Sequence, residues 1–334
     1  MTTLNNIYSV SISARATLNM HSLNNEGGEG NQIQTRMVNV IGEDGRMHNV
    51  NAISGDMFKH IQAEHLHRLA VQAKLPLSVG ARAFNANRVN IDIAEGTSQI
   101  GAAIVAAAND PLKLDVILRE CSVTDMEGIL VTAAKQSLPR KSVVEFGWVV
   151  GVPDLVESDS YFHVKYAADR STGARAQATT DGGREANVGQ SIFHRPASSG
   201  VYAIVLNLEL ARVGFNDISQ TYSVDAAARK QRVRVLLESV LYTFIEPAGA
   251  MRSTQNPHIV DLTGAVAISR DIVPAPCLSG LSSKFDTELQ RVADSLNRLR
   301  PNAIEIKPFK SIGEFSEVMA DLILDTTPYE LSFA

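Results

Sequence analysis

Residues 8–19, YSVSISARATLN, alternate without interruption. Tyr8, Val10, Ile12, Ala14, Ala16 and Leu18 fall on one side; Ser9, Ser11, Ser13, Arg15, Thr17 and Asn19 fall on the other. Successive side chains of a strand point to opposite faces, so this pattern commits the chain to a sheet. The reading is a half-buried strand, apolar face on a core and polar face open. A hairpin is expected in TRMVNVIGEDGRMHNVN, turning at Asp44-Gly45, where φ > 0 is easily supplied. NNEGGEGN, 24–31, reads as a loop between the two.

A helix follows in NAISGDMFKHIQAEHLHRL, 51–69. Ser54 is its N-cap and Asp56 lies in its first turn; Phe58, Ile61, Leu66, Leu69 and Ala73 form an apolar stripe, and Pro76 stops it. Residues 77–142 are mixed, with a helix expected around 97–108 and a strand at 114–119. SVVEFGWVVGV (142–152) and VYAIVLNLEL (201–210) read as buried strands. Between them, 169–190 are polar, glycine-rich and without apolar period, too long for a simple connection in a compact domain. DAAARKQRVRVLLESVLYTF, 225–244, places Val233, Leu236, Leu237, Val240, Leu241 and Phe244 at helical spacing. A loop (247–257), a strand (HIVDLTGAVAIS) and helices near 282–299 and 311–324 close the chain. Strand–helix–strand twice over suggests an α+β, ferredoxin-like split βαβ core.

Length allows one elaborated core or two domains, since the chain has 334 residues. A net charge of −5 argues against indiscriminate nucleic-acid binding but leaves room for a local basic groove. The two cysteines, Cys121 and Cys277, have no metal spacing and read as reduced thiols of a cytoplasmic protein. No apolar run suggests a membrane span, and residues 1–6 lack the features of a signal peptide.

The 51–69 stretch concentrates polar chemistry. His60, Glu64 and His67 would share a helix face, but their spacing matches no zinc motif. Asp56 and Glu64 lie more than two turns apart, too far to converge as an acid–base pair. A solvated polar face and a phosphate site at the helix start, built on Ser54, Gly55 and Lys59, remain open on the residues alone. Asp56 competes with a phosphate for the helix-start amides. Arg229, Lys230, Arg232 and Arg234 in ARKQRVR read as one solvated helix face or as a groove lining. Residues 161–200 carry Lys165, Arg170, Arg175, Arg184 and Arg195 among few acids, which suits a cationic nucleic-acid element.

Several blocks together resemble the DevR branch of the Cas-seven family, backbone subunits of type I CRISPR Cascade complexes. They are YSVSISARATLNMHSLNNEG, TRMV through NVNAISGDMFKHIQAEHL, CSVTDMEGILVT, SVVEFGWVVG and EPAGAMRSTQNPH, and they span most of the chain. The resemblance implies a modified RRM palm with a helical finger insertion and a β-hairpin thumb. The palm would take residues 1–75, 143–153 and 200–270, the finger 76–142, the thumb 154–199, and C-terminal helices (271–334) would pack on the palm. It implies a non-cutting protein that needs no cofactor or metal. Its partners would be crRNA, the target DNA strand paired to it, further copies of itself and other Cascade subunits. Ser54 and Lys59 match the family's serine and lysine facing guide phosphates, and Arg15 its contact on the first strand. Arg252 and Ser253 fit the loop touching RNA; Arg170, Arg175 and Arg195 belong to the thumb. Ser13, Asn51 and His60 complete the expected RNA contacts. The polar face of 8–19 has no aromatic residue, so backbone gripping rather than base stacking is expected there. The rival is a type III relative that cuts target RNA with a metal and a loop aspartate: Asp56, or else Asp44 or Asp125.

Overall fold

A computed structural model describes residues 6–29, 32–96, 98–166, 190–250 and 252–332. Strand β1 (Ser9–His21) runs through the middle of the main sheet. Next come β2 (Asn25–Glu29), β3 (Gln32–Thr35), β4 (Met37–Ile41) and β5 (Met47–Ile53). The β4–β5 hairpin turns where expected, and Gly45 adopts φ +72° there. Within the stretch read as a loop, 25–29 instead form β2, which pairs with β3, Asn25 opposite Thr35. Its glycines hid a strand because they carry no side chains to alternate.

Helix α1 (Gly55–Gln72) buries Phe58, Ile61 and Leu66, the stripe expected of it. A helical insertion follows: α2 (Val79–Arg82), α3 (Val89–Glu95), α4 (Gln99–Ala106), α5 (Asp110–Glu120) and α6 (Ser122–Glu127). The strand expected at 114–119 lies inside α5. Asn109 caps this helix by accepting from Leu112 N, and Leu114, Ile117 and Leu118 are buried at helical spacing. Cap and period together outweigh the β-branched residues of the short apolar run. Asp92, 1% exposed, ties the insertion together by accepting from Val79 N and Gly80 N.

The stretch read as one buried strand is broken at Gly147–Trp148 into β6 (Val144–Phe146) and β7 (Val149–Tyr166). Strand β8 (Gln190–Leu208) pairs antiparallel with β7 out to Tyr166↔Gln190. The remaining elements are α7 (Ala226–Ile245), β9 (His258–Ser269), α8 (Phe285–Leu299), β10 (Ile304–Phe309) and α9 (Ile312–Asp325). β10 escaped the sequence reading; it is an edge strand, and an edge tolerates its Pro308. The main sheet runs β10–β9–β1–β8–β7–β5–β4, with β6 also on β8. It is mostly antiparallel. Among the described residues, nine α-helices accompany it.

One face of this sheet carries the main core: Val10, Ile12, Ile204 and Leu206 cluster with Phe58, Leu66, Leu236 and Val240 of α1 and α7. The other face departs from expectation. Ser11 and Ser13 are each 1% exposed. The 276–280 segment lies over them: Ser11 Oγ donates to Pro276 O at 2.5 Å, and Ser13 Oγ accepts from Leu278 N at 2.9 Å. A serine row can be buried when another backbone satisfies each hydroxyl, so β1 is covered on both faces. Among the described residues, no helix is long and apolar enough to cross a membrane.

Candidate nucleic-acid interface

Ser54 caps α1. Its backbone is extended (φ −63°, ψ 148°), and its Oγ accepts from Met57 N at 3.1 Å. The hydroxyl proton remains available to an acceptor. The Ser54 N–H donates to Asn24 Oδ1 at 2.8 Å, which fixes the angle at which the chain enters the helix. Gly55 follows because a Cβ there would lie 2.7 Å from Phe146 O. The first turn therefore sits tight against 146–147.

The segment 20–25 leads to this helix start and gathers neighbours. Leu23 O accepts from Ala250 N at 3.0 Å, and Met20 N donates to Ser199 Oγ at 3.0 Å. In the 247–257 loop, Arg252 pairs with Glu246 at 2.5 Å and Ser253 is exposed. That loop meets the base of the β7–β8 hairpin: Arg195 Nη1 donates to Thr254 Oγ1 at 3.1 Å, and Gln255 Nε2 to Pro196 O at 2.9 Å. The α1 start with Ser54, the loop of Arg252 and Ser253, and the hairpin base with Arg195 are thus tied to one short segment from three distant parts of the chain. Arg170 and Arg175 lie outside the described residues.

Lys59 and His60 belong to a different place, a cavity of about 240 Å³ between α1, α6 and residues 81–88. Lys59 Nζ donates to Glu127 O at 3.3 Å. Burial pushes the Lys59 ammonium below its usual range, and the Glu127 charge opposes this. Burial likewise raises the Glu127 carboxyl, against the pull of Lys59 and Arg88. His60 is exposed beside Phe84, with ring centroids 5.6 Å apart. His67 contacts Arg82 O at 3.0 Å, while Glu64 pairs with Arg68. Among the described residues, no three His, Cys, Asp or Glu side chains stand together to hold a metal.

Other expected contacts are enclosed. Ser13 lies beneath the 276–280 segment, as above. Asn51 is 2% exposed; its Nδ2 donates to Thr35 Oγ1 and Arg36 O, and its Oδ1 accepts from Tyr202 Oη. Both are structural polar groups in this fold, and their expected place among the RNA contacts is corrected. Arg15 is half-buried and donates from Nε to Gly280 O at 2.6 Å.

The ARKQRVR reading is corrected in the same way. Lys230 and Arg234 are exposed, but Arg229 and Arg232 are each 2% exposed. Arg232 and Arg140 clamp the buried Asp125, each at 2.8 Å, and Gly214 N adds a third donor. Asp125, fully buried, has no access to a nucleic acid. Asp44 is taken up by Arg46 N and His48 in its turn, and Asp56 stands exposed in the first turn of α1.

The structure also presents aromatics that the sequence reading missed. Trp148 is 43% exposed, and Tyr161 and Phe162 on β7 are 42% and 59% exposed. Phe-Gly-Trp inside an apolar run was the available signal. A glycine there breaks the strand, and a tryptophan after it can fall outside the core.

Fold and surface together define an α+β protein with a cation-bearing, polar surface built round a helix start. A family model described as "CRISPR-associated negative auto-regulator DevR/Csa2" matches residues 12–289, and the chain belongs to this family. It is 25% identical over 306 residues to "CRISPR-associated protein Cas7/Csa2 1" of Saccharolobus solfataricus, covering 89% of this chain and 90% of the relative. It is 23% identical over 317 residues to "CRISPR-associated protein Cas7/Cst2/DevR" of Methanocaldococcus jannaschii, covering 93% and 95%. In fold it is similar to a chain of a solved structure described as "CRISPR RNA-guided surveillance complex, pre-nicking". The TM-score is 0.54 at 12% identity, with 95% of this chain and 99% of that one covered.

Proposed function

We propose that this chain is a guide-RNA-binding backbone subunit of a type I CRISPR Cascade complex. It polymerises with further copies of itself along crRNA in the cytoplasm, joins other Cascade subunits, and presents the guide for pairing with a target DNA strand. Family membership supports the class. The observation that carries the reading is the gathering of the α1 start, the 247–257 loop and the β7–β8 base round residues 20–25. A helix start offers amides and a hydroxyl to a phosphate, and Arg252 and Arg195 lie on the loop and the hairpin base tied to the same 20–25 segment. In this reading β9–β1–β8–β6 with α1 and α7 is an RRM-like palm, residues 76–142 the finger and the β7–β8 hairpin the thumb; the antiparallel strand order supports it. In this reading the subunit grips and does not cut; of the three candidate aspartates Asp125 is buried, and Asp56 is exposed.

The test is a salt titration of single-stranded RNA binding. Arg252→Ala is expected to weaken binding with little sequence dependence and to flatten the log-affinity slope by about 0.7, one phosphate contact. A folded variant with unchanged slope removes Arg252 from the interface, and wild-type protein without RNA affinity overturns the proposal. Incubation with complementary RNA and magnesium adds a second arm. Regularly spaced cuts abolished by Asp56→Ala would establish the cleaving alternative instead.

A further inference from the structure

Trp148, the single tryptophan of the chain, is 43% exposed beside the helix start. The ladder sets Val149 opposite Ile53 and Val150 opposite Ala52, so one step further Trp148 comes opposite Ser54. The Arg36 guanidinium carbon lies 5.5 Å from the centroid of the indole ring, over its face. Arg36 is held there by its backbone: its carbonyl accepts from Ala52 N at 2.9 Å and from Asn51 Nδ2 at 3.0 Å. The preceding Gly147 packs its backbone closely on β8, since a Cβ on it would lie 2.4 Å from Val205 Cγ2. A half-exposed indole with a guanidinium over its face is thus presented at the break between β6 and β7, next to the residues where both strands pair.

We propose that Arg36 and Trp148 form a stacking platform for an RNA base. The proposal rests on the RNA-binding reading above and deepens it. Indole faces and guanidinium planes both stack on bases, and such a pair can be extended by a third flat group. The phosphates flanking the stacked base then fall to Ser54 and the arginines round residues 20–25. Base stacking was not expected from the polar face of β1, and this platform lies off that face.

A lone tryptophan makes the test direct. Intrinsic fluorescence of the purified protein is followed while a short oligoadenylate RNA is added, with binding measured in parallel by anisotropy of labelled RNA. Quenching that saturates with binding is expected, and none on addition of inorganic polyphosphate, which has charge but no bases. Trp148→Ala should weaken RNA binding by about 5- to 150-fold, the range that stacking on one aromatic supplies, and Trp148→Phe should restore most of it. RNA binding with unchanged emission and full affinity in Trp148→Ala overturns the platform and leaves the RNA-binding reading standing. Equal quenching by polyphosphate overturns it too, as does an emission change that follows protein concentration without RNA, which would assign the indole to a contact between copies. Failure to bind RNA at all overturns both readings.

Discussion

Two arginine-bearing regions of this protein sit in opposite environments. In one, Arg140 and Arg232 close on Asp125 between α6 and α7. Arg140 also donates to Phe215 O, Arg212 O and Asp217, and Arg232 to Leu118 O and Arg119 O. In the other, Arg36, Arg195 and Arg252 hold partly open positions on the β3–β4 connection, the β7–β8 base and the 247–257 loop. In a linear reading the first offers a solvated helix face or a groove lining, because ARKQRVR is the densest basic run. Folding reverses this. The dense run is half consumed as internal structure, and the sparser arginines, far apart in sequence, make the surface. A charge's role follows from what lies opposite it, and Asp125 lies some hundred residues before Arg232.

The buried region should therefore dominate stability. Asp125→Ala leaves two guanidiniums without their carboxylate in a dry site, a loss expected to cost about 3–5 kcal/mol. Arg234→Ala, on the same helix but exposed, should stay within about 0.5 kcal/mol. Urea denaturation midpoints of both variants measure the contrast. If Asp125→Ala proves as mild as Arg234→Ala, the distinction between internal and surface arginines fails.

The same asymmetry explains what the sequence disclosed. Elements whose apolar period is internal to one segment were legible: β1, the β4–β5 hairpin, α1, α7, β9 and the last two helices. Features that depend on a distant partner were not. The serine row of β1 reads as solvent-facing until Pro276 and Leu278 are seen to satisfy it. Asn51 looks available until Tyr202 and Arg36 are placed around it. Among the site residues, the Ser54 cap was recoverable from local chemistry, whereas its Asn24 partner and the neighbouring Trp148 required the pairing of separate strands.

A buried histidine beneath the open region supplies the next contrast. His21 is 2% exposed, edge-on to Tyr202 at 5.0 Å, and burial lowers its pKa to about 4 from an ordinary value near 6.5. Between those two values the unfolded chain holds the proton and the folded chain does not. Stability is therefore fully present above about pH 6.5, falls as pH drops toward 4, and levels off below. The total expected from this group is on the order of 3 kcal/mol. Unfolding midpoints across pH 7 to 4, compared with His21→Gln, isolate it. A variant with the same pH slope as wild type would show that other groups carry the acid sensitivity.

The smallest expected effect is the one that separates folding from binding at the helix start. Ser54 Oγ satisfies one orphan amide of α1, so Ser54→Ala should cost about 1 kcal/mol. Ser54→Asp should retain most of that stability, because aspartate is as good a cap and its charge suits the positive end of the helix dipole. Toward RNA the order changes. An added carboxylate at a phosphate-facing position should repel the strand, so Ser54→Asp should bind RNA more weakly than Ser54→Ala even though it is the more stable of the two. Thermal melts and RNA titrations on the three proteins give both rankings. Opposite rankings mark the α1 start as a surface where fold and ligand compete for the same few groups; identical rankings would make Ser54 a cap alone and move the RNA path away from it.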